Sequence, residues 1–194
     1  RLALFLAVSF GTAPAHSALK IGTLPAADSL ILHVAADEGL FAEEGLEVEL
    51  IPFQSALELG AAMRGNALDG HFGDIINVLM QNENGAPQAI VATTSHAMPS
   101  IRHFGIVVSP RSTATTLADL EGKEIAVSSA TIIDFLLTRL LADEKVADDF
   151  LNRQDIRQIS VRLQMLLSGR IESALLPEPL LSLVEAKGAR TILD

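Results

Sequence analysis

The chain has 194 residues, 49% of them hydrophobic, a formal charge of −10 and no cysteine. That is enough apolar material for one ordinary domain or two small ones, on too acidic a chain for a nucleic-acid partner, whose phosphates require Lys and Arg. The lack of cysteine excludes disulfides, thiolate nucleophiles and Cys-ligated metals, and eight Phe without Tyr or Trp leave little with which to box a cationic ligand.

Arg1 is followed by a largely apolar run of nine residues at 2–10 (LALFLAVSF), then Gly11, Thr12, Ala13 and Pro14. Ala15-His16-Ser17 puts small residues at the −3 and −1 positions of a cleavage site before Ala18. This reads as the end of a secretory signal peptide at 1–17, whose true start precedes Arg1. The run is too short to span a bilayer, which takes about 20 apolar residues.

From Leu19 short β-like runs alternate with amphipathic helical ones. Strands are expected at 19–24, 46–52, 68–72 and 88–93, and helices at 29–38, 56–64 and 74–82. Ser29 is placed to cap the first helix, with Gly39 to end it in the left-handed conformation; Gly65 stops the second. Strand-helix repetition of this kind predicts a largely parallel sheet covered by helices. Pro99 and Arg102 break the rhythm, and a boundary is expected near 96–104, dividing a first lobe at 18–100 from a second at 101–194.

The second series has strands expected at 104–109, 124–128, 156–159 and 171–176, with helices at 131–143, 161–167 and 178–187. The segment 147–159 is polar for a strand, and one more strand starts at Arg190. An internal echo links the halves: residues 63–70 (MRGNALDG) resemble 167–174 (LSGRIESA), each a helix end, a glycine, a polar residue and a strand start.

In open parallel sheets, ligands sit beyond the carboxyl ends of the strands, where helix N-termini offer free N–H groups and partial positive charge. Four such turns carry small polar residues: Pro25, Ala26, Asp28 and Ser29; Gln54 and Ser55; Thr93 and Thr94; and Ser128, Ser129 and Thr131. Singly, each is explained by capping. Together, spread over two lobes, they point to a site between lobes for an anion or polar zwitterion. Gly73-Asp74 either places a carboxylate at a strand end or caps a helix. Of the five histidines, His16 lies in the export segment, His33 is mid-helix, His71 is in a strand, and His96 and His103 flank the boundary. None has a paired nucleophile, and no nucleophile elbow, phosphate loop or zinc motif is present. Neither a metal site nor a cofactor is expected.

Several phrases then carry a family resemblance: Leu19-Lys20-Ile21-Gly22, residues 36–49 (ADEGLFAEEGLEVE), 65–70 (GNALDG), 117–127 (LADLEGKEIAV), 167–174 and Leu176-Pro177-Glu178-Pro179. In this order they resemble the periplasmic substrate-binding proteins of the nitrate/sulfonate/taurine type, whose wider group includes thiamine-pyrimidine binders. The resemblance implies an α/β, type II periplasmic-binding-protein-like fold of two lobes that close on a ligand. It adds Gly73, Asp74 and Glu178 to the ligand-contacting positions. It implies a non-enzymatic, extracytoplasmic protein, expected to be a monomer, that delivers a small solute to an ABC permease. Members are longer and cross back to complete the first lobe, so that lobe is expected to be incomplete here. The alternatives are an enzyme of the same fold in thiamine-pyrimidine or menaquinone synthesis, and a ligand-sensing domain. The cysteine-rich motif of the yeast-type pyrimidine synthases is absent.

Overall fold

The computed structural model describes residues 17–96, 98 and 100–194. The signal-peptide expectation at 1–17 therefore lies almost wholly outside the described residues. Two sheets carry the rest. The first is all parallel: β1 (Leu19–Thr23) lies between β2 (Val48–Pro52) and β3 (Gly70–His71). Parallel neighbours need a crossover. Here α1 (Leu30–Asp37) and α2 (Leu40–Glu43) carry the chain to β2, and α3 (Ala56–Arg64) carries it to β3. A further helix, α4 (Ile75–Glu83), follows. Leu59 of α3 and Leu68 pack on the middle of β1, where Gly22 makes room: a Cβ there would stand 2.8 Å from Leu68 Cδ1.

The second sheet has five strands in the order β6-β5-β7-β4-β8. These are β4 (Phe104–Val108), β5 (Glu124–Val127), β6 (Asn152–Asp155), β7 (Ser173–Pro177) and β8 (Arg190–Leu193). β4 runs antiparallel to β7 and β8, whereas β5 is parallel to β6 and β7. The period-two alternation of a strand sends side chains to opposite faces, and both faces are covered. Ile125 and Val127 join Leu137 and Leu141 of α5 (Ile132–Asp143), while Ala126 and Ala174 join Leu166 of α6 (Ile159–Leu167) and Leu181 of α7 (Leu180–Glu185). No helix among the described residues is long and apolar enough to cross a membrane.

Two expected strands are corrected. Residues 88–93 form none, although Gln88-Ala89-Ile90-Val91 has the right composition. A strand needs a neighbour's backbone. The first sheet ends at the two-residue β3, which pairs only with β1, and Val91 is left 95% exposed. Side chains hold the start of the segment instead: Gln88 N donates to Asn82 Oδ1 at 2.6 Å, and Gln88 Oε1 lies 2.8 Å from His71 Nε2. The strand expected at 156–159 lies four residues earlier, at the polar Asn152–Asp155. As an edge strand it gains its ladder from β5 alone and needs no apolar face on the open side. Arg153 ties it to α5 through Asp134 at 3.1 Å.

The internal echo is real in geometry but shifted in sequence. After α3 the left-handed residue is Asn66 (φ 54°), not Gly65; after α6 it is Gly169 (φ 70°). Both ends then make the same return bond, Ala67 N to Ala62 O at 3.0 Å and Arg170 N to Met165 O at 2.9 Å.

Candidate functional site

The carboxyl ends of β1 and β2 face the N-terminal ends of α6 and α7 across a cleft of about 340 Å³. Thr23, Leu24, Pro25, Pro52, Phe53 and Gln54 line it from the first lobe, with His33 of α1; Ile159, Ser160, Leu163 and Leu180 line it from the second. The walls are mainly apolar, with Thr23, Gln54, Ser160 and His33 supplying the polar groups.

Among the described residues, and apart from the turn at the boundary itself, three hydrogen bonds join the two lobes. Ala27 N donates to Glu178 O at 3.1 Å, Ile159 N donates to Gln54 O at 3.1 Å, and Ser160 Oγ donates to Gln54 Oε1 at 3.4 Å. The Gln54 carbonyl thus takes the first free N–H of α6, a donor that a helix start otherwise leaves open. A second, much smaller gap of about 50 Å³ lies where Ala130 and Thr131 meet Arg64, Asn77 and Gln81 of the first lobe. It has room for about one water.

The sequence-named residues are distributed unevenly over this geometry. Pro25 and Gln54 border the larger cleft and Thr131 the smaller. Ala26 precedes a 3-10 turn at Ala27–Ser29 that holds the half-buried Asp28. Ser29 does not cap α1: its Oγ instead donates to Leu24 O and Ala26 O, both at 2.8 Å, and stiffens the turn after β1. Ser55 caps α3, accepting from Glu58 N at 3.2 Å. Asp74 caps α4, accepting from Asn77 N at 2.8 Å; burial pushes its carboxyl above the usual value, against the pull of that bond and of His71. Gly73 leaves space for the His71 ring, whose Cε1 stands 2.8 Å from where a Cβ would be. Thr93 and Thr94 are exposed and border neither cleft, because the strand that was to present them does not form.

In the second lobe, Thr131 caps α5, accepting from Ile133 N at 3.3 Å, while its hydroxyl donates to Ser128 O at 2.7 Å. Ser129 N is taken by Asp155 Oδ1 at 3.0 Å. The Glu178 carboxylate faces inward to its own lobe. It accepts from Arg102 Nη2 at 2.8 Å, Ser182 N at 3.1 Å and Ser182 Oγ at 2.9 Å, and Arg102 also grips Glu185 at 2.8 Å. Burial pulls the Glu178 carboxyl up, but Ser182 and Arg102 together hold it below its ordinary value. What Glu178 offers the first lobe is its carbonyl, which accepts from Ala27 N and does not line the cleft. Among the described residues, no group of three or more His, Asp or Glu is placed to hold a metal ion.

Sequence reasoning missed Phe53, Ile159, Ser160, Leu163 and Leu180 as cleft residues, and left His33 as an ordinary helix residue. Phe53 had a signal, since it directly precedes Gln54. Ile159 and Ser160 did not, because reading a strand at 156–159 moved the start of α6 to Val161.

A family model described as "NMT1/THI5 like" matches residues 26–190. No curated protein matches the chain in sequence. Among solved structures, it superposes on the alkanesulfonate-binding protein SsuA of Xanthomonas axonopodis pv. citri bound to MOPS, at 24% identity and a TM-score of 0.71, covering 93% of this chain and 61% of that one. It superposes likewise on the periplasmic aliphatic sulphonate binding protein SsuA of Escherichia coli, at 19% identity and a TM-score of 0.68, over 93% and 61%. PhnD1 of Prochlorococcus marinus (MIT 9301), in complex with methylphosphonate, matches at 15% identity and a TM-score of 0.65, over 90% and 71%. The chain thus has the two-lobed α/β fold of periplasmic binding proteins, and spans about three fifths of the length of the two sulfonate binders.

Proposed function

Because the chain belongs to the NMT1/THI5-like family, we propose that it is an extracytoplasmic solute-binding protein of an ABC importer, holding a small polar or anionic solute between lobes at 18–100 and 101–194. The solute is of the sulfonate, nitrate or pyrimidine type and is passed to a membrane permease without chemical change. The observation that carries this reading is the cleft itself. It lies at the carboxyl ends of parallel strands, is walled from both lobes and is spanned by the bonds of Gln54 to Ile159 and Ser160, so a solute there is enclosed when the lobes close. Pro25, Ala26, Asp28, Gln54, Ser55, Ser128, Ser129 and Thr131 are the contacts this reading favours from the turns around it.

A ligand that binds only the folded state stabilises it by RT ln(1 + [L]/Kd), about 2.7 kcal/mol at a hundredfold excess over Kd. A thermal-shift screen of sulfonates, nitrate, dicarboxylates and pyrimidines is expected to raise the melting temperature with one of them. A flat response across the panel refutes the reading.

A further inference from the structure

The chain enters the second lobe just ahead of β4, and an arginine there holds a turn that reaches the first lobe. Phe104 pairs with Pro177 in the antiparallel register, so the residues before β4 lie beside those after β7. Glu178 N donates to His103 O at 2.9 Å, and Arg102, one residue earlier, meets the Glu178 side chain. All three guanidinium nitrogens are used. Nε donates to Glu178 Oε1 at 3.0 Å, while Nη1 and Nη2 grip Glu185 Oε1 and Oε2 at 2.9 and 2.8 Å. Asp194 Oδ2 lies 3.8 Å from Nη1. A guanidinium fork set on a carboxylate in this way fixes direction as well as charge.

One guanidinium thus faces three carboxylates, from the turn before α7, from α7 itself and from the residue after β8. The bond to Arg102, and then the one from Thr191, holds the Glu185 carboxyl below its ordinary value. Without the arginine these like charges crowd one another. The network matters to the lobes because Glu178 is at work in two directions. Its carboxylate accepts from Ser182 N at 3.1 Å and fixes the first turn of α7, where Leu180 lines the cleft. Its carbonyl accepts from Ala27 N of the first lobe at 3.1 Å. Exposed ion pairs taken singly are worth little. Here Arg102 is 27% and Glu178 20% exposed, the pair is part of a network, and it sits on a turn that bridges the lobes.

We propose that Arg102 is a positioning residue for the cleft: it clamps the 178–182 turn so that Glu178 O meets Ala27 N and Leu180 stays in the wall, and it thereby sets how closely the two lobes approach. It acts through Glu178 and Glu185 and touches no solute itself. This role rests on the cleft being a solute site that the lobes close, but the clamp is measurable with no solute present, so the two readings fail separately.

Pulsed electron spin resonance on the doubly labelled chain tests this. The sequence has no cysteine, so Asp37→Cys in α1 and Glu144→Cys at the end of α5, both exposed, put one spin label on each lobe. Against this labelled parent, Arg102→Met is expected to give a longer mean distance and a broader distribution. Arg102→Lys is expected to fall between the two, because an ammonium keeps the charge but not the fork. Arg153→Met is the control: it removes an arginine paired with Asp134 and Asp148 inside the second lobe, and is expected to leave the distance unchanged. A merely structural Arg102 gives a lower melting temperature at the parent distance, and that result overturns the proposal, as does equal broadening in Arg153→Met. Should Arg102→Met fail to fold, Glu185→Gln is expected to broaden the distribution in the same sense but less, and an unchanged distance there overturns the proposal instead. A flat solute screen beside a broadened Arg102→Met distribution removes the solute reading and leaves the clamp; a solute that binds beside an unchanged distribution removes the clamp alone.

Discussion

The two lobes share one strand-helix alternation, yet they bury it very differently. In the second lobe both sheet faces are covered, and fully buried residues such as Ile106, Ile125, Leu137, Leu166 and Leu175 fill the layers. In the first, only Leu59 and Leu68 are buried among the described hydrophobic residues, while Leu30 and Ile31 of α1, and Ile75 and Leu79 of α4, stay more than half exposed. An apolar stripe states which face of a helix seeks cover. Whether cover exists depends on the width of the sheet beneath, and here three parallel strands, one of them two residues long, stand against five.

The strongest way to break this comparison is a matched truncation. Leu137→Ala is expected to cost about 2–5 kcal/mol, because it opens a cavity in a fully covered layer. Leu79→Ala, on the uncovered helix, is expected to cost about 0.5 kcal/mol or less. Denaturant midpoints measure both, and equal costs mean that the first lobe has a hidden core. Cap removal comes next: Thr131→Ala is expected to lose about 1 kcal/mol, read as faster amide exchange in the first turn of α5 with α4 unaffected.

The smallest effect sharpens the electrostatics of the first lobe. The folded pKa of Asp74 is raised by burial, so its protonated form is the one folding favours. The stability it contributes is full below its ordinary value of 3.8 and lost as pH rises through the folded value. Asn keeps the cap without the charge. Asp74→Asn is therefore expected to melt a few degrees above wild type at pH 7, with the gap closing as the pH falls below 3.8. A gap that persists in acid removes burial of the charge as its cause.

Much of the fold was legible because it rests on local rules. The helix at Ala56–Arg64 has its start in Ser55 and its length in the spacing of apolar residues. Helix α5 has its cap in Thr131. Illegible were features that depend on neighbours: 88–93 has strand composition but no partner, and Asn152–Asp155 lacks strand composition but finds an edge. At the site, Gln54 was found through its turn. Ser160 was not, because the strand read at 156–159 hid the start of α6.

What the sequence determined by itself was the alternation of elements, most helix starts and the family phrases, since propensity, capping and periodicity act over a few residues. What only the tertiary structure decided was which strands pair, which apolar faces are covered and which polar groups end in the cleft. Those outcomes depend on backbone partners and burial supplied from distant parts of the chain: Gln54 reaches Ser160 across 106 residues of sequence, and no local pattern encodes that meeting.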